Sequence, residues 1–156
     1  RHEIGHYYWQ MLILGQREDS FKSVFGDHTN PSYADAQQRY YEQGPVAKWQ
    51  LRFVSAYATM HPWEDFAETF ATYLDMISVL DTAWHCGIHG SCDPTQAELP
   101  DMVDKYVRLG VVLNEMNRAM GLIDFVPEIF SAPVVAKISF VHELVVAARK
   151  PALPVN

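Results

Sequence analysis

Five residues near the start of the chain carry types and spacing that could do chemistry. His2-Glu3-Ile4-Gly5-His6 reads H-E-x-x-H. On a helix, positions four apart share a face, so His2 and His6 can point two imidazoles at one ion. Imidazole nitrogen is a common zinc donor. A glutamate beside such a pair is placed to take a proton from a metal-activated water. This makes His2 and His6 candidate ligands and Glu3 a candidate general base. The same five letters also arise in helices that bind nothing, so the reading needs a further donor from elsewhere in the chain.

Zinc held for catalysis takes three protein ligands and keeps one position open. The richest source of a third is His61-Pro62-Trp63-Glu64-Asp65-Phe66-Ala67-Glu68. Glu64 and Glu68 lie four apart on one helical face, whereas Asp65 points about 100° away from Glu64. One carboxylate could bind the metal while the other receives the second ring N–H of a ligating histidine. Glu64 is preferred to Glu68 as the ligand, with His61 as a lesser alternative. A solvated helix face carries glutamates at the same spacing, so the pair gains weight only from the upstream motif. Ala67 and Ala71 are small enough to let a second helix approach closely, and Phe66 and Phe70 could wall the site.

The elements that must position these groups read as helices. His2 to Leu14 forms the first, ended by Gly15. Residues 16–31 read as a loop, with Gly26-Asp27 and Asn30-Pro31 as breakers. Ser32 caps a helix through Tyr41. Pro45 suits the first turn of a helix to about Ala56, and Pro62 that of a long helix to about Leu80, with Glu64 and Asp65 at its dipole-favoured end. A Cys/His loop follows over 81–99. Met102, Val103, Tyr106, Leu109, Leu113, Met116 and Met120 mark a helix over 99–120, and Val134 to Ala148 a last one. No strand alternation appears. The Cys86/Cys92 loop, with His85 and His89, reads first as two free thiols in a glycine-rich segment. A small disulfide and a second metal site are the alternatives, though C-x5-C is wider than a zinc-knuckle hairpin. His28 and His142 read as packing residues; His142-Glu143 begins like the zinc motif, but Val146 stands where the second histidine is required.

At 156 residues and 49% hydrophobic, the chain suits one compact domain, placed at 1–150 with a short tail at 151–156. The formal charge of −7 and the lack of a basic stripe argue against nucleic acid as the partner. No apolar run is long enough for a membrane span. Arg1 directly precedes His2, which reads as a fragment with its N-terminal portion upstream.

The residues carry a family resemblance. Tyr57 followed by Glu64-Asp65-Phe66-Ala67-Glu68 resembles the signature of the lethal-factor-like zinc peptidases, a gluzincin group with a Tyr seven residues before an E-x-F-A-E segment. That resemblance implies zinc ligation by Glu64, support by Glu68 and transition-state assistance by the Tyr57 hydroxyl. The whole chain is more closely similar to a bacterial family described as putative zinc-binding metallopeptidases. The matching stretches run from Arg1 to Trp9, from Phe53 to Asp65, and over Phe140-Val141-His142-Glu143-Leu144. It implies a mainly α chain forming the helical C-terminal part of a zincin-like domain, with the small sheet and a zinc-ribbon-like region upstream. Cytoplasmic location is the expectation from this resemblance and the few cysteines.

The expected activity is therefore a zinc-dependent metallopeptidase acting on a peptide or protein substrate through a metal-activated water, with Zn2+ as cofactor and Glu3 as general base. The alternative is a non-catalytic helical module that binds a protein partner, with its zinc structural or absent. A third reading keeps zinc hydrolysis on some other substrate.

Overall fold

The structure is a computed structural model and describes residues 1–124 and 126–149. The expected tail at 151–156 lies outside the described residues. Among these, the regular structure is entirely helical, as the periodicity predicts. Six α-helices run in order: α1 His2–Leu12, α2 Glu18–Phe25, α3 Tyr33–Gln43, α4 Pro62–His85, α5 Leu99–Ala119 and α6 Ala132–Arg149. None is long and apolar enough to cross a membrane.

Local chemistry explains several boundaries. The Ser32 hydroxyl oxygen accepts from the Asp35 N–H and opens α3. Gly44 closes it in the left-handed region, at φ 77°. Pro62 occupies the first turn of α4, where its missing N–H costs nothing. Just before it, His61 Nδ1 accepts from the Trp63 N–H at 3.1 Å and the His61 carbonyl accepts from the Asp65 N–H at 2.9 Å. His61 thus caps the helix that carries Glu64.

Two expected elements differ. Residues 16–31 are not all loop: Phe21, Val24 and Phe25 give a short apolar stripe behind the acidic first turn of α2, and Phe21 and Phe25 are buried. The expected helix from Pro45 to about Ala56 does not form. Lys48 sits in the left-handed region at φ 56°, which breaks the ladder, and only a 3₁₀ turn at Trp49–Leu51 remains, with no buried residue to hold more.

The chain divides into two compact units, Arg1–Tyr73 with the segment from Ala132, and Leu74–Ser131; α4 contributes to both. In the second unit, Met76, Leu80, Met102 and Tyr106 form the core. The fully buried Asn114 donates to the Val126 carbonyl at 2.8 Å and pins the loop after α5. Cys86 is exposed, Cys92 is buried, and both are free thiols.

The first unit carries the candidate residues of the H-E-x-x-H centre, His2, Glu3, His6, Tyr57, Glu64 and Glu68, whereas the Cys/His loop lies in the second. Phe21, Phe25 and Phe66 meet edge-to-face and stacked at centroid distances of 5.0–6.1 Å, and Ile138, Val141 and Leu144 of α6 are buried in the same unit. Beneath them, the Lys137 ammonium lies 2.6 Å from Asp65 Oδ2, donates to the Arg52 carbonyl at 2.7 Å and sits 4.0 Å from the centre of the Phe53 ring. Tyr73 and His142 join α4 to α6 through a 2.9 Å contact between the hydroxyl and Nδ1.

α1 and α4 approach closely in this unit. A Cβ placed on Gly5 would fall 2.7 Å from Ala67 Cα and 3.1 Å from the Ala67 carbonyl oxygen. The glycine inside H-E-x-x-H therefore lets two backbones touch, and it sits between the two histidines. Gly5→Ala is expected to force the helices apart. Overpacking of this kind costs about 1–3 kcal/mol, offset by up to about 1 kcal/mol of improved helix propensity. Denaturant unfolding should show a net loss, and metal affinity should fall with it. An alanine variant as stable as the parent would mean that the crossing can widen at no cost.

Candidate metal centre

α1 and α4 cross at Gly5 and Ala67, and the side chains of His2, His6 and Glu64, all within a turn of that crossing, converge. His2 Nε2 lies 3.0 Å from His6 Nε2 and 3.0 Å from Glu64 Oε2, and His6 Nε2 lies 3.4 Å from Glu64 Oε2. These three atoms form a group that could hold a metal ion. Four-coordinate zinc with bonds of about 2.0–2.1 Å requires donors about 3.3 Å apart, so the spacing fits.

The donor chemistry fits as well. Glu64 is 2% exposed, and its Oε2 is buried without a hydrogen bond while facing two imidazole nitrogens. Lone pairs so arranged repel unless a cation or shared proton lies among them. His2 Nδ1 lies 2.6 Å from Glu68 Oε1. A proton on Nδ1 leaves Nε2 as a bare donor and orients the ring, the usual partner arrangement of a metal-ligating histidine. Trp63 covers His6 with centroids 3.9 Å apart.

Burial works to raise the Glu64 carboxyl, but the neighbouring His6 imidazole, the Tyr33 hydroxyl and the charge of His2 outweigh it and hold the group below the usual range. Burial, followed by the Glu64 charge, pushes the Tyr33 and Tyr57 phenols up. Burial pushes His61 down. With Nδ1 accepting from the helix, His61 lies outside the group.

The other candidates are placed as follows. Glu3 is exposed on α1, beside the histidines, with no hydrogen bond or ion pair among the described residues. Tyr57, on a 3₁₀ turn at Tyr57–Thr59, holds its ring 6.0 Å from that of His2. Glu68 is half-buried against His2. His85, Cys86, His89 and Cys92 form no ligand group among the described residues. One residue that contacts the group was not legible in the sequence: Tyr33 donates from its hydroxyl to Glu64 Oε1 at 3.0 Å, across 31 positions. No spacing rule links it to Glu64, and a tyrosine opening a helix reads as packing.

The group is open to solvent on the histidine side, with His2 and His6 side chains 27% and 13% exposed. A separate cavity of about 350 Å³ lies along α3, walled by Ala36, Tyr40, Phe53, Met60 and His61, and none of the three converging residues lines it.

A helical chain that brings two histidines and a buried carboxylate to one point defines a candidate metalloprotein. The chain belongs to the family described as "Putative zinc-binding metallo-peptidase", which it matches over residues 1–144. It is also 40% identical over 153 residues to the uncharacterized proteins Rv2568c of Mycobacterium tuberculosis and Mb2598c of Mycobacterium bovis, covering 93% of this chain and 45% of each relative. The chain thus spans less than half the length of these curated relatives. No solved structure matches it.

Proposed function

We propose that this chain carries the catalytic centre of a zinc-dependent metallopeptidase, with a gluzincin-type ligand set of His2, His6 and Glu64. The carrying observation is the convergence of His2 Nε2, His6 Nε2 and the buried, unbonded Glu64 Oε2 within 3.4 Å. Zinc bound there supplies a Lewis acid that polarises a peptide carbonyl and lowers the pKa of water towards about 7.

The remaining work falls to the chain. Glu3 accepts a proton from the attacking water and delivers it to the leaving amine; its exposed, unpartnered carboxylate is free to do both. The Tyr57 hydroxyl, raised in pKa and so protonated at neutral pH, donates to the developing oxyanion. Glu68 holds the His2 ring in one tautomer. The assignment of Tyr57 and Glu68 follows the resemblance to the lethal-factor-like group. An extended peptide suits this centre better than a small enclosed ligand, because the histidines face solvent and not the cavity along α3.

The test is metal content joined to a peptide-library screen on the intact protein. Zinc at this centre is expected to disappear in Glu64→Ala, and hydrolysis to stop with chelator and return with added zinc. A folded protein whose zinc content is unaffected by Glu64→Ala would favour the non-catalytic module.

A further inference from the structure

The two oxygens of Glu64 have different partners. Oε2 faces His2 Nε2 and His6 Nε2 and accepts no hydrogen bond. Oε1 accepts from the Tyr33 hydroxyl at 3.0 Å. Tyr33 is not loosely placed. It is the first residue of α3, set by the Ser32 cap, and its ring lies edge-on to His61 at 5.3 Å and to Trp63 at 5.7 Å. Those two residues open α4, one turn before Glu64 and beside it. The Tyr33 hydroxyl is therefore registered against the start of the same helix that carries the carboxylate. A phenol hydroxyl is protonated at neutral pH and so stays a donor there.

A carboxylate can bind a divalent ion through one oxygen or through both. A zinc centre that does chemistry must keep one position open. We infer that Tyr33 is a positioning residue that commits Glu64 to bind through Oε2 alone, by holding Oε1 away from the ion, and so keeps a coordination position free. This rests on the zinc reading of the same group. Without the phenol hydroxyl, Oε1 is a carboxylate oxygen in a site only 2% exposed, and the nearest compensating charge is the ion itself. The carboxylate is then expected to turn and chelate.

The experiment compares the wild type, Tyr33→Phe and the control Tyr41→Phe, which removes an exposed phenol on the same helix. Each intact protein is loaded with Co2+ in place of zinc, the visible spectrum is recorded, and zinc affinity is measured by chelator competition. Glu64→Ala serves as the blank that isolates this centre from any other metal in the protein. The metal-free melting temperatures are compared alongside. The expected result is a weaker cobalt absorption in Tyr33→Phe, as coordination number rises above four, with zinc affinity reduced about 10- to 100-fold and Tyr41→Phe unchanged. An unchanged cobalt spectrum in Tyr33→Phe overturns the inference while leaving the zinc reading intact, and a fall in melting temperature with that unchanged spectrum assigns Tyr33 a packing role. A wild type with no Glu64-dependent metal overturns both.

Discussion

Glu3→Gln is expected to leave metal content unchanged and to lower peptide turnover by about 10²- to 10⁴-fold, the span that a positioned general base contributes. Glutamine keeps the size of the side chain and nearly the same helix propensity. Glu3 is exposed and its charge acts on the fold only through the first turn of α1, an effect of about 0.3–1 kcal/mol. The converse substitution, Glu64→Gln, acts on a residue that is 2% exposed at the centre of the group and should remove metal and turnover together. Measuring zinc per chain and turnover on the same samples separates the two roles. Retained turnover in Glu3→Gln would mean that another group takes the proton. Loss of zinc in Glu3→Gln would mean that Glu3 supports the site and does not act on water.

Lys137→Met is expected to be the most destabilising single change outside the metal group. Lys137 and Asp65 are 7% and 1% exposed at the side chain and form a 2.6 Å ion pair between α6 and α4. Removing one member of such a pair costs about 3–5 kcal/mol, because the other charge is left buried alone. Burial already pushes the Asp65 carboxyl up to about 6, against the Lys137 charge that works to lower it. Without Lys137 it rises further. A group whose folded pKa stands above its unfolded value contributes most below the unfolded value and loses that contribution as pH rises through the folded one. The deficit of Lys137→Met should therefore be greatest above neutral pH and shrink towards pH 4. The double variant Asp65→Leu with Lys137→Met should recover most of the loss, since no charge is then stranded. Urea unfolding at two pH values checks both points, and a pH-independent deficit would mean that lost packing dominates.

The legible parts of the site are those where spacing along one helix carries the information. His2 and His6 lie four apart, as do Glu64 and Glu68, so each pair shares a face whatever it packs against. The small residues Ala67 and Ala71 signalled a close approach on α4, and the structure makes it at Ala67, against Gly5 of α1, a glycine whose part in the crossing was not read from the sequence. Fold class was legible because the segments of α4, α5 and α6 are long and carry no proline past their first turn, and because α5 repeats its apolar residues at helical spacing. What escaped depends on contacts between segments. Tyr33 acquires its role only because Ser32 caps α3 in register with His61 and Trp63 on another helix. α2 was hidden by the Gly26-Asp27 and Asn30-Pro31 breakers, although Phe21, Val24 and Phe25 already show helical spacing. The absent helix after Pro45 turns on one left-handed residue, Lys48, which has no composition signature.

The crossing of α1 and α4 joins parts of the chain that are far apart in sequence: His2 and Glu68 are 66 positions apart. An ion gripped by His2, His6 and Glu64 would act as a reversible cross-link closing that long loop. Bringing such ends together is entropically costly in the unfolded chain, and a ligand that binds only the closed form stabilises it by mass action. At a free zinc concentration 100 times the dissociation constant, that linkage amounts to about 2.7 kcal/mol. The melting temperature should then climb with free zinc and fall with chelator, so the resistance of this protein to unfolding would track the metal supply around it.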